Sequence, residues 1–93
     1  MKTETEILNA LFWELYEINE RILTGDIYSS KTALPRAVKF AEKARKDLLK
    51  VGCSEIFLSP FEAAGGWVGL TYEYNTPEIG RIGGSCTPRR QTR

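Results

Sequence analysis

The 93-residue chain has a net charge of +1, with 42% hydrophobic and 11% aromatic residues. These values indicate one small globular domain and exclude global disorder and a second domain of ordinary size. The net charge by itself implies no polyanionic partner. No stretch reaches the roughly 18 apolar residues of a membrane span, and the acidic start MKTETE is unlike a secretory signal.

The first predicted element is a helix in TETEILNALFWELYEINERILTG, residues 3–25. Thr3 with Glu6 fits a capping box, and Gly25 is typical of a helix C-terminus. The apolar residues recur at helical spacing and form one stripe: Ile7, Leu8, Leu11, Leu15, Ile18 and Ile22.

Two residues of this helix break its pattern. Asn19 lies within the apolar stripe, and we expect a core amide with satisfied hydrogen bonds that fixes the pairing of the helices. Trp13 lies on the polar side, near Glu17 and Glu20. We expect its ring to lie under the hairpin or the C-terminal tail; the alternative is an exposed aromatic anchor for a partner.

The next segment, GDIYSSKT, partly resembles the phosphate-binding loop G-x-x-x-x-G-K-[ST]. The preceding element is a helix instead of a strand, Ser30 replaces the second glycine, and Pro35 removes an N–H close to where an anion would bind. We therefore interpret the segment as a turn between helices, with Gly25 capping the first and Thr32 capping the second. The sequence predicts no nucleotide site and no other cofactor.

A second helix is predicted from about Thr32 to Val51, with Pro35 in its first turn and Gly52 at its end. Its apolar face contains several alanines, which favours close antiparallel packing on the first helix. The opposite face carries a row of five cations within about an 80° sector of an ideal helix. We call this the basic row: Arg36, Lys39, Lys43, Lys46 and Lys50.

After Gly52 the hydrophobic period changes to two. CSEIFLS and GWVGLTYEYN read as antiparallel strands, and PEIGRIGG is an optional third strand. In the second strand one set of side chains is expected to face the helices, with the tyrosine hydroxyls at the rim: Val68, Leu70, Tyr72 and Tyr74. Trp67 and Phe57 then belong to the outer face or to a further strand.

The predicted fold is α+β, with two antiparallel helices packed on a small antiparallel sheet in the order α-α-β-β. Residues 1–84 form this domain. Residues 85–93, SCTPRRQTR, have little apolar content to hold them and are expected to form a disordered basic tail.

The sequence offers little for catalysis or metal binding. It contains no histidine, and its two cysteines, Cys53 and Cys86, are not in a metal-binding motif. Glu55, Glu62 and Glu73 form a metal site only if the hairpin brings them together. We expect a non-enzymatic, cytoplasmic protein with reduced thiols and no metal.

Charge is segregated along the chain. Residues 1–26 carry a net −4, residues 27–52 a net +5, residues 53–80 a net −4 and residues 81–93 a net +4. Either the acidic and basic segments pack beside each other, or one block binds a charged partner. If it binds a partner, the candidate contact residues are those of the basic row, with Trp13 and Trp67 as aromatic anchors.

Two functions remain open. The first is a protein-binding module, an inhibitor that binds an acidic protein surface or a nucleoprotein complex. The second is a nucleic-acid-binding accessory protein that uses the basic row and the arginine tail. In size and economy the chain resembles small accessory proteins of phages and other mobile elements, anti-CRISPR proteins among them. This resemblance is one of type and is carried by no motif. The first function is favoured because acidic segments occupy half of the chain and would weaken a general attraction to phosphate unless they face away.

Overall fold

The structure is a computed structural model that describes residues 2–25 and 30–90, with the backbone alone at positions 30 and 31. Two helices are followed by a three-stranded antiparallel sheet, and both helices pack on the sheet. The α+β prediction is confirmed, including the third strand. The elements are α1 (Glu4–Thr24), α2 (Ser30–Lys50), β1 (Ser54–Glu62), β2 (Val68–Thr76) and β3 (Gly80–Cys86).

Helix α1 begins and ends as its sequence predicts. The Thr3 hydroxyl accepts a hydrogen bond from the Glu6 N–H at 3.2 Å, and the Glu6 carboxylate accepts one from the Thr3 N–H at 3.1 Å. These two bonds satisfy N–H groups at the start of the helix. The carboxylate of Glu6 accepts from both the Thr3 N–H and the Thr3 hydroxyl, and these bonds hold its pKa below the ordinary value. Gly25 closes the other end with a left-handed φ of 89°.

Helix α2 starts earlier than predicted. It begins at Ser30, so the capping role expected of Thr32 is wrong and Pro35 lies in the second turn instead of the first. The helix ends at Lys50, and Gly52 follows with a φ of 93°. Most of the turn in GDIYSSKT, residues 26–29, lies outside the described residues.

The sheet has the order β1-β2-β3, with each strand antiparallel to its neighbour. As expected from the period of two, Val68, Leu70 and Tyr74 of β2 are fully buried against the helices. The Tyr74 hydroxyl reaches the rim and donates to Glu4 Oε2 at 3.1 Å. The two helices therefore cover one face of the sheet and leave the other open.

The third strand extends into the predicted tail. Ser85 and Cys86 belong to β3, so the boundary expected after residue 84 is too early. Residues 87–90, which we call the C-terminal segment, lie against α1: the Pro88 carbonyl accepts a hydrogen bond from Asn19 at 2.6 Å. Described residues 85–90 are thus part of the packed structure, and 91–93 lie outside the description.

Asn19 connects elements that are far apart in the sequence. Its side chain is 1% exposed; its amide donates to the Val68 carbonyl at 2.9 Å and accepts from the Val68 N–H at 2.9 Å. The expected satisfied core amide is confirmed. Its predicted role in pairing the helices is wrong, because its partners are β2 and the C-terminal segment.

Within the described residues, no helix is both long and apolar enough to cross a lipid bilayer.

Candidate functional site

The basic row lies on the solvent side of α2. All five cations are exposed. In the described part of the chain, none of them forms an ion pair within 4.0 Å of a carboxylate. The row is therefore a one-signed surface whose charges are not neutralised by direct pairs.

A groove runs between α1 and α2 beside the row. Its largest cavity has a volume of about 300 Å³ and has the apolar side chains of Ile18 and Phe40 in its lining. Phe40 and Glu14 also line a second cavity, which has a volume of about 110 Å³. Ile7 lines both this second cavity and a third cavity of about 160 Å³. We call this continuous feature the interhelical groove.

The two walls of the interhelical groove carry opposite charge at its middle. Glu14 and Glu17 lie on the α1 side. Four members of the basic row lie on the α2 side, and Lys46 is exposed outside this lining: Arg36, Lys39, Lys43 and Lys50. The acidic and basic segments do pack beside each other, yet the described residues contain no ion pair across the groove.

Trp13 is exposed on the other flank of α1. Its side chain is 66% accessible, and its ring meets Tyr16 edge-on with 5.5 Å between centroids. The two rings line a cavity of about 240 Å³ together with Phe12, Asn9 and Pro88. The expectation that the ring lies under the hairpin or tail is wrong, because Pro88 lies beside it instead of over it. The ring is exposed instead, and its role as an anchor for a partner stays a prediction.

Trp67 lies in a different environment. Alternation with buried Val68 puts it on the sheet face away from the helices. Its half-buried ring is contacted by Arg89, whose guanidinium carbon is 5.3 Å from the ring centroid. The structure therefore does not bring Trp67 together with the basic row.

Arg90 of the C-terminal segment is also engaged. Its Nε and Nη2 donate to the two carboxylate oxygens of Glu20 at 3.0 and 2.6 Å. This two-point bond lowers the pKa of Glu20 and raises that of Arg90. Neither Arg89 nor Arg90 is a free charge on a disordered tail.

Two of the three carboxylates considered for a metal site do converge, but on a cation. Glu73 and Glu55 lie 2.9 and 3.3 Å from the Arg81 guanidinium. The hydrogen bond from Arg81 lowers the pKa of Glu73. Glu62 lies at the far end of β1, opposite Val68. Among the described residues, no group of three acids or cysteines is placed to hold a metal ion.

The two cysteines are both free thiols in the structure. Cys53 is buried and Cys86 is half-buried. Burial raises the pKa of both thiols, which lowers the fraction of reactive thiolate at neutral pH.

Sequence reasoning found the basic row but missed the acidic wall opposite it. Glu14 and Glu17 read as part of a solvated helix face, and only the antiparallel packing brings them to the groove. It also missed Pro88 as a wall of the aromatic cavity, because residues 85–93 read as a tail. The usable signal was the antiparallel helix pair, which already implied one acidic and one basic helix side by side.

No protein-family model, curated protein or solved structure matches the chain.

Proposed function

We propose that this chain is a non-enzymatic protein-binding module, an inhibitor of the type carried by phages and mobile elements. It binds a host protein or nucleoprotein complex through the basic row of α2. The observation that carries the proposal is a row of five exposed cations without an ion pair in the described part of the chain. Like charges one turn apart repel each other, and an acidic partner surface would relieve that repulsion.

The proposed partner surface carries carboxylates at a spacing that matches the row. Exposed charges mainly speed association and orient the partner, whereas slow dissociation needs a buried apolar anchor. Trp13 supports such a role because it is more exposed than Trp67 and lies beside a preformed aromatic cavity. Trp67 supports it less, since Arg89 covers its ring.

The nucleic-acid alternative has weaker support. It relied on arginines of a free tail, but Arg89 contacts Trp67 and Arg90 pairs with Glu20. Glu14 and Glu17 also line the groove beside the row and would repel the regularly spaced phosphates of a nucleic acid, whereas a protein surface can place its carboxylates against the row alone. These observations favour a protein partner.

The test is affinity capture from a host lysate with nuclease treatment. The Lys39→Glu/Lys43→Glu double variant should lose the captured partner, because the variant replaces attraction by repulsion at two adjacent turns. For a matched comparison, Lys43→Glu should weaken capture whereas Arg45→Glu should not, since Arg45 is exposed on the same helix but outside the row. Circular dichroism should show that all variants stay folded.

Salt dependence separates the two kinds of partner. Binding to duplex nucleic acid through four cations should give a log–log salt slope near −3 to −4 and should disappear with nuclease. A protein complex should survive nuclease and show a shallower slope. If the double variant captures the partner as well as the wild type does, the row is only a solvated face and the proposal is wrong.

A further inference from the structure

The interhelical groove has one feature that the proposed function leaves unused, which is its acidic wall. Glu14 and Lys43 line one cavity of the groove, and Glu17 and Lys39 line the next. Since α1 and α2 are antiparallel, each acid lies at about the same height along the groove as a cation on the opposite wall. Within the described residues neither acid forms an ion pair, so both can bind a charge outside the molecule.

We infer that this face binds a second copy of the chain across a two-fold axis that runs along the groove. A half-turn about this axis places α1 of one copy over α2 of the other without changing its height. Glu14 and Glu17 of each copy then meet Lys43 and Lys39 of the other copy. By symmetry the interface contains four acid–base pairs.

Charge complementarity favours this two-fold axis over an axis that runs across the helices in the plane of the interface. A two-fold axis across the helices would place α1 on α1 and α2 on α2, with acids facing acids and the basic row facing itself. A foreign segment of one charge would suit one wall of the groove and be repelled by the other. A second copy matches both walls because it carries both in the required order.

The size of the face sets the expected strength. Two 21-residue helices side by side span about 30 by 20 Å, which gives an interface of about 1,200 Å² over both copies. This is the lower end of the range for specific interfaces, so the dimer should be weak. Half-buried Phe40 supplies apolar surface at the centre.

Like charges oppose the pairing at both ends of the groove. Arg21 and Arg36 line one cavity and Lys2 and Lys50 another, where Asp47 offsets part of the repulsion. Helices that cross at about 20° or more diverge away from their point of closest approach. Contact should therefore centre on Phe40 and the four pairs, with both ends splayed apart.

This inference goes beyond the proposed function and does not rest on it. A second copy would cover Lys39 and Lys43, which the proposed function gives to a partner. Self-association and partner binding therefore compete for the same cations.

The test uses two charge-reversed variants and sedimentation equilibrium at low salt, from about 10 to 500 µM protein. The acid-reversed variant is Glu14→Lys/Glu17→Lys, and the base-reversed variant is Lys39→Glu/Lys43→Glu. The wild type should dimerise, and each variant alone should dimerise at least tenfold more weakly. An equimolar mixture should recover the dimer, because α1 of one variant then meets α2 of the other with opposite charge at both halves of the interface.

The matched control is Glu42→Lys/Glu62→Lys, which makes the same charge change as the acid-reversed variant at exposed sites outside the lining of the groove. It should dimerise as the wild type does. A wild type that is monomeric throughout overturns the inference, and so does a dimer that the mixture of variants fails to restore.

Affinity capture of the partner distinguishes the inferred dimer from the proposed function. The acid-reversed variant retains the whole basic row, so it should still capture a host partner while it is monomeric. A monomeric wild type whose capture depends on Lys39 and Lys43 would overturn the dimer and leave the proposed function standing. A dimer that the mixture of variants restores, found without any captured partner, would support the dimer and overturn the proposed function.

Discussion

At the scale of single residues, Asn19 connects α1 with β2 and with the C-terminal segment, which are far from it in the sequence. It gives a buried donor and acceptor to the backbone of Val68 and a second donor to Pro88. A buried peptide group without a partner costs about 1–3 kcal/mol, and removal of the amide leaves both the N–H and the carbonyl of Val68 unpaired. The Asn19 amide therefore contributes more to the free energy of unfolding than the area of its contacts suggests.

We predict that Asn19→Ala lowers the free energy of unfolding by about 2–5 kcal/mol, because two buried backbone groups lose their partner. Asn9→Ala is the control on the same helix and should change it by less than about 0.5 kcal/mol, since Asn9 is exposed. Urea unfolding measures both. Equal effects of the two substitutions would show that the Asn19 network is not a source of stability.

Tyr74 links stability to alkaline pH. Its burial, then the nearby charge of Glu4 and the hydrogen bond to it, raise the pKa of the Tyr74 hydroxyl well above its ordinary value. A raised pKa gives a stability contribution that is fully present below about pH 10, the value for an exposed tyrosine, and is lost as the pH rises toward the folded-state value.

We therefore predict that the free energy of unfolding falls above pH 10 in the wild type and falls less steeply in Tyr74→Phe. Urea midpoints between pH 8 and 11.5 measure the difference. The Cys53 thiol, whose pKa burial also raises, contributes to the fall in both proteins, so the difference between them isolates Tyr74. Parallel curves for the two proteins would contradict the prediction.

At the scale of elements, the C-terminal segment acts as a strap on α1 and on the open sheet face. Pro88 bonds to Asn19 through its carbonyl, Arg89 covers Trp67, and Arg90 pairs with Glu20. Two of these contacts reach neighbouring residues of α1, and the third reaches Trp67 beside the sheet. The segment therefore joins the outer side of α1 to the face of the sheet that no helix covers.

A chain that ends at Thr87 should lose about 1–3 kcal/mol of unfolding free energy, mainly through the missing bond to the buried Asn19 amide. Pro88→Ala is the matched control: it keeps the backbone carbonyl and should cost less than about 1 kcal/mol. Urea unfolding followed by tryptophan fluorescence measures both, and the emission of Trp67 should also shift to the red on truncation. If truncation and Pro88→Ala have the same effect, the backbone carbonyl is not what matters.

The open sheet face contains a glycine that the packing of a ring requires. A Cβ atom on Gly69 would lie 2.5 Å from the Phe61 ring and 2.7 Å from the Thr87 hydroxyl. On the same face, a Cβ on Gly83 would lie 3.3 Å or more from its neighbours. The ring of Phe61 thus lies across the backbone of β2, where any larger residue would displace it.

We predict that Gly69→Ala destabilises the domain by about 1–3 kcal/mol, since Phe61 and Thr87 must move. Gly83→Ala should be tolerated much better and serves as the control. Thermal unfolding of the two variants gives the comparison. A Gly69→Ala protein as stable as Gly83→Ala would mean that Phe61 does not rest on this position.

At the scale of the whole molecule, the sequence predicts what local rules decide. The cap at Thr3, the stop at Gly25 and the change of period after Gly52 each depend on a few neighbouring residues, and the structure confirms all three. The fold class follows from them, because an amphipathic helix pair needs a sheet face on which to bury its apolar stripe.

What the sequence did not predict depends on where one distant segment lies. Trp13 was expected to be covered, Asn19 to pair the helices and the described residues 85–90 to lie in a disordered tail; instead Pro88 lies beside Trp13, and Asn19 bonds to Val68 and Pro88. No spacing rule connects Asn19 with Pro88, which are 69 positions apart. The acidic half of the candidate site was missed as well, because Glu14 and Glu17 face the basic row only after the helices pack.

That separation of 69 positions has a consequence for the order in which the protein folds. The entropic cost of closing such a loop must be met before the contact contributes stability, and non-local contacts of this span form late. During synthesis α1 is made before both partners of Asn19, Val68 and Pro88. Until these partners are made, the nascent helix pair exposes its apolar stripe and the Asn19 amide to water. In this state chaperones and proteases can bind it. Folding of this domain should be completed only when Pro88 has left the ribosome.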